Sequence, residues 1–151
     1  RSRVAVERAA GLVALLAAVT AASVVALAVL APPFQLTNGL SVAGIAAATV
    51  ATALLALSFA AVAFAVGAAT GRRSWAIASA STLAVAGFVI EGLAAQVKVL
   101  QPLRAASPWH WALGANPLRH GLGWESAVLP LVVSALLLGV GVLAFSRRDL
   151  R

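Results

Sequence analysis

The stretch that decides the fold is AAGLVALLAAVTAASVVALAVLA at residues 9–31, which contains no charged side chain. A transmembrane α-helix needs about 20 consecutive, mainly apolar residues to cross the hydrocarbon core of a bilayer. Residues 9–31 therefore predict a spanning helix. Pro32 and Pro33 end it, because proline lacks a backbone N–H and clashes with the preceding turn. The stretch exceeds the apolar region of about 7–15 residues that is typical of a signal peptide.

The rest of the chain repeats this pattern. Asp, Glu, Lys and Arg are absent from three windows, at residues 9–71, 74–90 and 126–146. The first window is long enough for two spans, so the predicted spans cover residues 9–31, 44–70, 75–95 and 127–145. A short turn at residues 32–38 follows the first of them. The predicted fold is an all-α integral membrane protein with one transmembrane domain of four helices over residues 1–151.

The charges exclude some functions and suggest an orientation. Only 10% of the residues are charged and the net charge is +7, whereas soluble domains average about 25% charged residues. The basic residues flank the apolar runs and form no stripe with interleaved aromatics, so we expect no nucleic acid partner. The chain has no cysteine, which excludes disulfides and thiolate metal ligands.

Lys and Arg side chains are divided unequally between the two sides of the predicted membrane. Eight lie on one side: Arg1, Arg3, Arg8, Arg72, Arg73, Arg147, Arg148 and Arg151. Three lie on the other: Lys98, Arg104 and Arg119. Cytoplasmic loops carry the excess of basic residues. We therefore expect a multi-pass protein of the plasma membrane with both termini in the cytoplasm.

Residues 96–126 form the one long segment that is not a span. Ser107-Pro108 and Asn116-Pro117 each place an N-cap residue before a proline suited to the first helical position. Glycines at 114 and 121 supply the stops. The pattern predicts two short helices, at 108–113 and 117–120, which are interfacial or re-entrant and precede the last span. The nearby tryptophans favour the level of the lipid headgroups.

Glu91 is the polar residue of greatest interest within a predicted span. An acid inside the membrane is costly and usually faces the interior of a helix bundle. It shares a helix face with Ala80, Ala84 and Gly87, so we expect it to point at another helix. Three roles remain open: contact with a polar or cationic substrate, pairing with an arginine, or simple hydration near the headgroups.

The sequence gives little support for catalysis or for a metal site. His110 and His120 lack the further ligands that zinc requires. Ser107, His110 and Glu125 have the residue types of a catalytic triad, but no GxSxG nucleophile elbow accompanies them. A phosphate-binding glycine loop with its lysine is also absent. We therefore expect no catalytic residue, no bound metal or cofactor, and no nucleotide hydrolysis by this chain.

Small residues recur at intervals of three or four along the spans, and such rows allow membrane helices to approach closely. Four rows occur: Ala10, Ala14, Ala18, Ala22 and Ala26; Gly67 and Gly71; Ala80, Ala84 and Gly87; and Ala135 and Gly139. Each row predicts a helix–helix contact. The alternative is an alanine-rich composition without structural meaning.

Three runs together resemble a known family. They are QPLRAASPWHW at 101–111, NPLRHG at 116–121 and FSRRDL at 145–150. In this order, with a span between the second and third, they resemble the C-terminal portion of type-2 ABC transporter permeases, especially the actinobacterial polyketide and multidrug efflux permeases. The resemblance covers the whole chain as the last four of six spans. It fits the start at Arg1 in place of Met, from which we expect a piece of a longer chain.

The resemblance implies an exporter of apolar or amphipathic small molecules such as drugs or polyketides. It implies two permease units, as a homodimer or pseudo-dimer, each docking a separate ATP-binding cassette subunit that holds ATP and Mg²⁺. Arg72 and Arg73 would face that subunit. The candidate residues of the substrate pathway are Glu91, Ser107, Trp109 and His110.

Two other functional classes remain open. One is a non-transporting membrane protein with a structural or assembly role. The other is a membrane-embedded enzyme, which would need a polar cluster within the bilayer. Only Glu91 meets that requirement, so the sequence disfavours the enzyme.

Overall fold

The computed structural model describes residues 2–30, 41–94 and 96–148, apart from the side chains of residues 2, 5 and 148. Within these ranges every regular element is a helix. The long helices are α1 (Ser2–Leu30), α2 (Val42–Thr70), α3 (Arg73–Leu93) and α7 (Trp124–Arg148). A 3₁₀ turn (Lys98–Leu100) and three short helices, α4 (Gln101–Ala105), α5 (Pro108–Leu113) and α6 (Pro117–His120), lie between α3 and α7. The predicted turn at 32–38 lies outside the described residues.

Four of the described helices are long and apolar enough to cross a membrane: Val6–Leu30, Val42–Thr70, Arg73–Leu93 and Trp124–Arg147. This confirms the predicted fold class, including the two short helices before the last span, α5 and α6. The 3₁₀ turn and α4 were not predicted. They form over residues 98–105, where Pro102 sits in the first turn of α4 and provides a favourable helix start.

Helix α2 is the centre of the bundle and packs most extensively against α7, then against α3 and α1. Its buried residues are mainly small: Gly44, Ala51, Leu55, Leu57, Ser58, Ala61 and Ala68. Small residues let helix backbones approach closely where lipid gives no hydrophobic drive for association. The buried Ser134 hydroxyl on α7 donates to the Ser58 hydroxyl at 3.4 Å, which adds a polar link between the two helices.

The ends of α2 have clear local causes. The Ser41 side chain accepts a hydrogen bond from the Gly44 N–H at 2.9 Å, which caps the first turn. At the other end Gly71 adopts φ 69°, and its N–H bonds the Gly67 carbonyl. A left-handed residue at this position is most easily glycine. Gly71 therefore ends the helix. Gly67 of the predicted row lies against α3, where an added Cβ would be 3.4 Å from the Ala76 Cβ.

The bundle has two chemically different ends. The start of α1, the α2–α3 turn and the end of α7 meet around one cavity that both Arg8 and Phe145 line. We call this the basic end, because Arg72, Arg73 and Arg147 also lie there. The opposite end carries α4, α5 and α6, and we call it the short-helix end.

The small-residue rows have different outcomes. Ala80 and Ala84 are half-buried and Gly87 is buried, so the row on α3 faces packed protein as predicted. The five alanines of the α1 row are all exposed, as are Ala135 and Gly139 on α7. Within the described residues these two rows do not pack against another helix of the chain. Side-chain size alone did not determine which face turns inward.

Candidate functional site

An ion pair joins the last turns of α3 to the short helices. The Arg104 side chain on α4 donates to Oε1 of Glu91 on α3, from Nη2 at 2.7 Å and from Nε at 3.0 Å. The Glu91 side chain is 18% exposed and that of Arg104 is 38% exposed. Hydrogen bonds between ionised groups are stronger than neutral ones, so the pair ties α4 to α3. The bond to Glu91 also raises the pKa of the Arg104 guanidinium above its ordinary value.

His110 on α5 completes what we call the polar cluster, which consists of Glu91, Arg104 and His110. Its Nδ1 lies 3.5 Å from Glu91 Oε1. Both Nδ1 of His110 and Oε2 of Glu91 are buried, and neither has a hydrogen-bond partner among the residues that the structure describes. The carboxylate therefore keeps one oxygen free to accept from another donor. Of the three roles left open for Glu91, the geometry selects pairing with an arginine and leaves capacity for a further contact.

Two further side chains fix α5 to α3. The indole Nε1 of Trp109 donates to the Ala84 carbonyl at 2.9 Å, and the Ser107 hydroxyl donates to the Gly87 carbonyl at 3.5 Å. The Trp109 ring also contacts Phe88, with ring centroids 5.4 Å apart, and Phe59, with centroids 6.1 Å apart. One aromatic side chain thus joins α5 to both α3 and α2.

Gly87 makes this close approach possible. A Cβ at this position would lie 2.9 Å from Cδ1 of Trp109 and 3.2 Å from the Ser107 hydroxyl. Real Cβ atoms rarely tolerate such distances, so any larger residue would push α5 away from α3. The glycine, the indole and the hydroxyl therefore act as one contact, and the polar cluster lies beside it.

The structure brings together the four predicted pathway residues, Glu91, Ser107, Trp109 and His110. Sequence reasoning missed Arg104 as the partner of the acid. The sequence indicated only that the partner of Glu91 is a basic residue on the same side of the membrane. Lys98 and Arg119 met this condition as well as Arg104 did. Only the unpredicted helix α4 selects Arg104.

The N-caps predicted from residue type form differently. Ser107 has the extended backbone of an N-cap, but its side chain makes no cap hydrogen bond and bonds α3 instead. Asn116 adopts φ 50° and also makes no side-chain cap bond. The prolines at 108 and 117 still start the two helices, because their fixed φ suits a first helical residue.

Arg72 and Arg73 lie at the basic end, far along α3 from the polar cluster. Both are exposed, and Arg72 precedes the first residue of α3 without a side-chain cap bond. Positive charge is unfavourable at a helix N-terminus, where an acidic side chain would stabilise by about 0.3–1 kcal/mol. Their charges are therefore not placed to stabilise α3 through its helix dipole.

Nothing in the site forms a metal centre or a nucleophilic triad. Among the described residues no group of three or more His, Cys, Asp and Glu side chains lies close enough to hold a metal ion. The Ser107 hydroxyl points at the Gly87 carbonyl, and His110 faces Glu91 instead of Glu125. Comparisons of the chain with family models, with curated proteins and with solved structures found no match.

Proposed function

We propose that this chain is part of the permease subunit of an ATP-driven, ABC-type exporter in the plasma membrane. The favoured cargo is an apolar or amphipathic small molecule, such as a drug or a polyketide. The three sequence runs that resemble type-2 export permeases support this proposal. The near absence of charge from the spans, apart from Glu91, supports an apolar or amphipathic cargo.

The observation that carries the proposal is the set of short helices held against α3 before the last span. The resemblance implies short re-entrant helices at this place, and α5 and α6 occupy it. Their polar attachment to α3 consists of the Glu91–Arg104 pair together with the Ser107 and Trp109 bonds, and α5 and α6 also pack on α2. In this proposal the short helices shift together with the bundle when the outer end of the pathway opens.

In this mechanism the polar cluster lines the outer end of the pathway. Among the described residues, Glu91 Oε2 and His110 Nδ1 are buried atoms with unused hydrogen-bonding capacity. A cargo with a donor group would bond the free carboxylate oxygen once a shift of the short helices uncovers it. Ser107 and Trp109 hold the wall of the pathway in place, because both bond the backbone of α3.

In this proposal the basic end contacts the ATP-binding cassette subunit, and movement of that subunit is transmitted to the helices there. Arg72 and Arg73 are exposed in the turn between α2 and α3 and face the cytoplasm when the positive-inside rule is applied. They would contact acidic groups of the ATP-binding cassette subunit, which binds ATP and Mg²⁺. Closure of two such subunits would then tilt α2 and α3 together through the short turn at Gly71.

A second permease unit would complete the pathway. Helix α1 supports this part of the proposal, because its most apolar window contains no residue buried inside the chain. Its exposed row of alanines at residues 10–26 is suited to close approach by another helix. The partner unit is either a second copy or the other half of a pseudo-dimer.

The test is purification of the full-length protein, tagged in its native host, in lipid nanodiscs. We expect co-purification of a subunit with a phosphate-binding loop and drug-stimulated ATP hydrolysis. Replacing both arginines (R72E with R73E) should abolish the drug stimulation, whereas R119E, an equal charge reversal per site at the short-helix end, should preserve it. Absence of any such ATPase would favour a structural or assembly role. Unchanged stimulation in R72E/R73E would count against the docking role of the two arginines.

A further inference from the structure

A groove between α1 and α2 lies in the half of the bundle nearer the short-helix end. It has a volume of about 430 Å³ and extends from Leu16 to Leu27 on α1 and from Ile45 to Ala56 on α2. Leu118 of α6 also lines it. Ligand sites for small molecules have volumes of about 300–1,000 Å³. The groove is therefore large enough for one small molecule.

Hydroxyl side chains are concentrated in this groove. Thr20 and Ser23 line it from α1, and Thr49 and Thr52 line it from α2. Each pair is spaced by three residues, which places both members on one helix face. The remaining Ser and Thr side chains described on these helices are Ser58, which accepts from Ser134 in the α2–α7 contact, and Thr70, at the basic end. Thr20 also borders a more apolar groove next to it, whereas Ser23, Thr49 and Thr52 line this groove alone among the described cavities.

The hydrogen bonds of the four hydroxyls decide what they can recognise. Each donates its proton to the carbonyl four residues earlier in its own helix, at distances between 2.7 and 2.9 Å. A hydroxyl has one donor and two acceptor lone pairs. The donors are consumed within the helices, so the groove offers acceptors in an otherwise apolar wall.

We propose that this groove binds a small molecule whose apolar body carries a hydroxyl or N–H donor. Such a donor is costly to leave unpaired in a membrane, and the hydroxyl oxygens satisfy it. A ligand that has only acceptors gains no hydrogen bond from these hydroxyl oxygens. The site is distinct from the polar cluster, whose acceptor is a carboxylate.

At its end near the start of α2, the groove is in direct contact with the short helix α6. Leu118 of α6 lines the groove, and its carbonyl is so close to Gly44 of α2 that a Cβ on Gly44 would collide with it. Helix α6 thus lies directly on the start of α2 at the end of the groove. If the ligand is exported cargo, this part of the inference rests on the proposed function. The preference of the groove for a hydrogen-bond donor is independent of that function.

The experiment is photolabelling of the full-length protein in phosphatidylcholine nanodiscs without ATP. The probes are an octanol that carries a diazirine and the methyl ether of the same molecule, which lacks only the donor. Labelled positions are located by mass spectrometry. We expect the alcohol to label groove residues about fivefold more than the ether, which is the effect of about one net hydrogen bond.

The variants T20V and T49V, combined, keep the side-chain shape and remove two acceptor oxygens. They should lower labelling by the alcohol to the level of the ether. T70V is the matched control, because Thr70 on α2 also bonds its own helix but lies outside the groove. Equal labelling of the unaltered protein by alcohol and ether would overturn the proposal, as would labelling of T20V/T49V at the level of T70V. A preserved preference for the alcohol in an unaltered full-length protein that exports no cargo would instead contradict only the proposed function.

Discussion

The two partners in the Glu91–Arg104 pair differ in how much they depend on each other. The Glu91 side chain is 18% exposed and Arg104 is 38% exposed. Without its partner, a buried charge keeps its desolvation cost, whereas an exposed charge returns to water. The carboxylate therefore depends on the guanidinium more than the reverse. The bond that raises the pKa of Arg104 also keeps this guanidinium charged.

We predict that R104Q lowers the melting temperature of the protein more than E91Q does. R104Q leaves a mostly buried carboxylate with a weaker partner, whereas E91Q leaves an arginine that reaches solvent. The double variant E91Q/R104Q should melt close to E91Q, since no unpaired acid remains. Thermal unfolding in nanodiscs measures all three. If E91Q lowered the melting temperature as much as R104Q or more, the carboxylate would not depend on the guanidinium more than the reverse, which would contradict this account.

Gly87 gives a second prediction at the residue scale, with a control on the same helix. G87A should destabilise the protein by about 1–3 kcal/mol, as overpacking typically does, because its Cβ would press on Trp109. Around Gly92, also on α3, a Cβ would meet nothing within 4 Å. G92A should therefore be neutral or stabilise by up to about 1 kcal/mol through helix propensity.

Chemical or thermal unfolding of the two glycine variants distinguishes these expectations. Tryptophan fluorescence, to which Trp109 contributes with three other indoles, offers a second readout, because displacement of α5 changes the environment of the Trp109 ring. If G87A and G92A have the same stability, the close contact between α3 and α5 is not present.

At the scale of single residues the sequence predicted the types but not all of the bonds. Glu91 was expected to point at another helix because an acid is costly in lipid, and it does. The identity of its partner depended on the path of residues 96–105, which no residue pattern determined. Ser107 has two competing uses for its hydroxyl, a local cap or a bond to α3. Tertiary packing against Gly87 decides between them.

The contact between α2 and α7 dominates at the scale of elements, and Gly141 of α7 lies close against α2. A Cβ there would lie 2.7 Å from Cδ1 of Phe64 and 3.2 Å from the Cα of Ala65. Gly139 is two residues earlier on the same helix, and a Cβ there would meet nothing within 4 Å. The two glycines therefore separate the effect of packing from that of backbone flexibility.

We predict that G141A destabilises the bundle by about 1–3 kcal/mol, because a helix backbone and an aromatic ring must both shift. G139A should be neutral or slightly stabilising. Resistance of the purified protein to unfolding by dodecyl sulfate is a suitable measurement for a helical membrane protein. A loss of stability in G139A that equals the loss in G141A would contradict the assigned helix face.

Short helices α5 and α6 were predictable because local chemistry defines them. Pro108 and Pro117 each supply a fixed φ at a helix start, which needs no tertiary information. The rows of small residues were less informative, because small residues occur on both faces of these alanine-rich spans. Ala10 and Ala135 are exposed, whereas Ala84 is packed against Trp109. A row of alanines permits a contact, and the partner available decides whether it forms.

At the scale of the whole molecule, the four spans could be predicted from the sequence, because the length of an apolar run is enough to indicate a transmembrane helix. How the helices pack was not readable, since lipid is as apolar as leucine and hydropathy does not distinguish the inner from the outer face. The central position of α2 follows from its small buried residues only after its neighbours are known. Function is harder to predict from this sequence than the fold, because the proposed ATP-hydrolysing subunit is another chain.

The central claim is a four-span protein with its basic end in the cytoplasm and its short helices outside. Residues 1–151 contain no cysteine, so a single cysteine introduced among them reports its own location. The positions are Ser74 at the basic end, Ala115 between α5 and α6, and Val85 on α3, whose side chain is 64% exposed along the apolar surface.

The decisive measurement is labelling of S74C, A115C and V85C by a membrane-impermeant maleimide in right-side-out membrane vesicles. The account predicts immediate labelling of A115C, labelling of S74C only after the vesicles are opened, and no labelling of V85C in either state, because lipid surrounds it. Labelling of S74C in sealed vesicles would reverse the orientation. Labelling of V85C from either side would contradict a membrane-spanning α3.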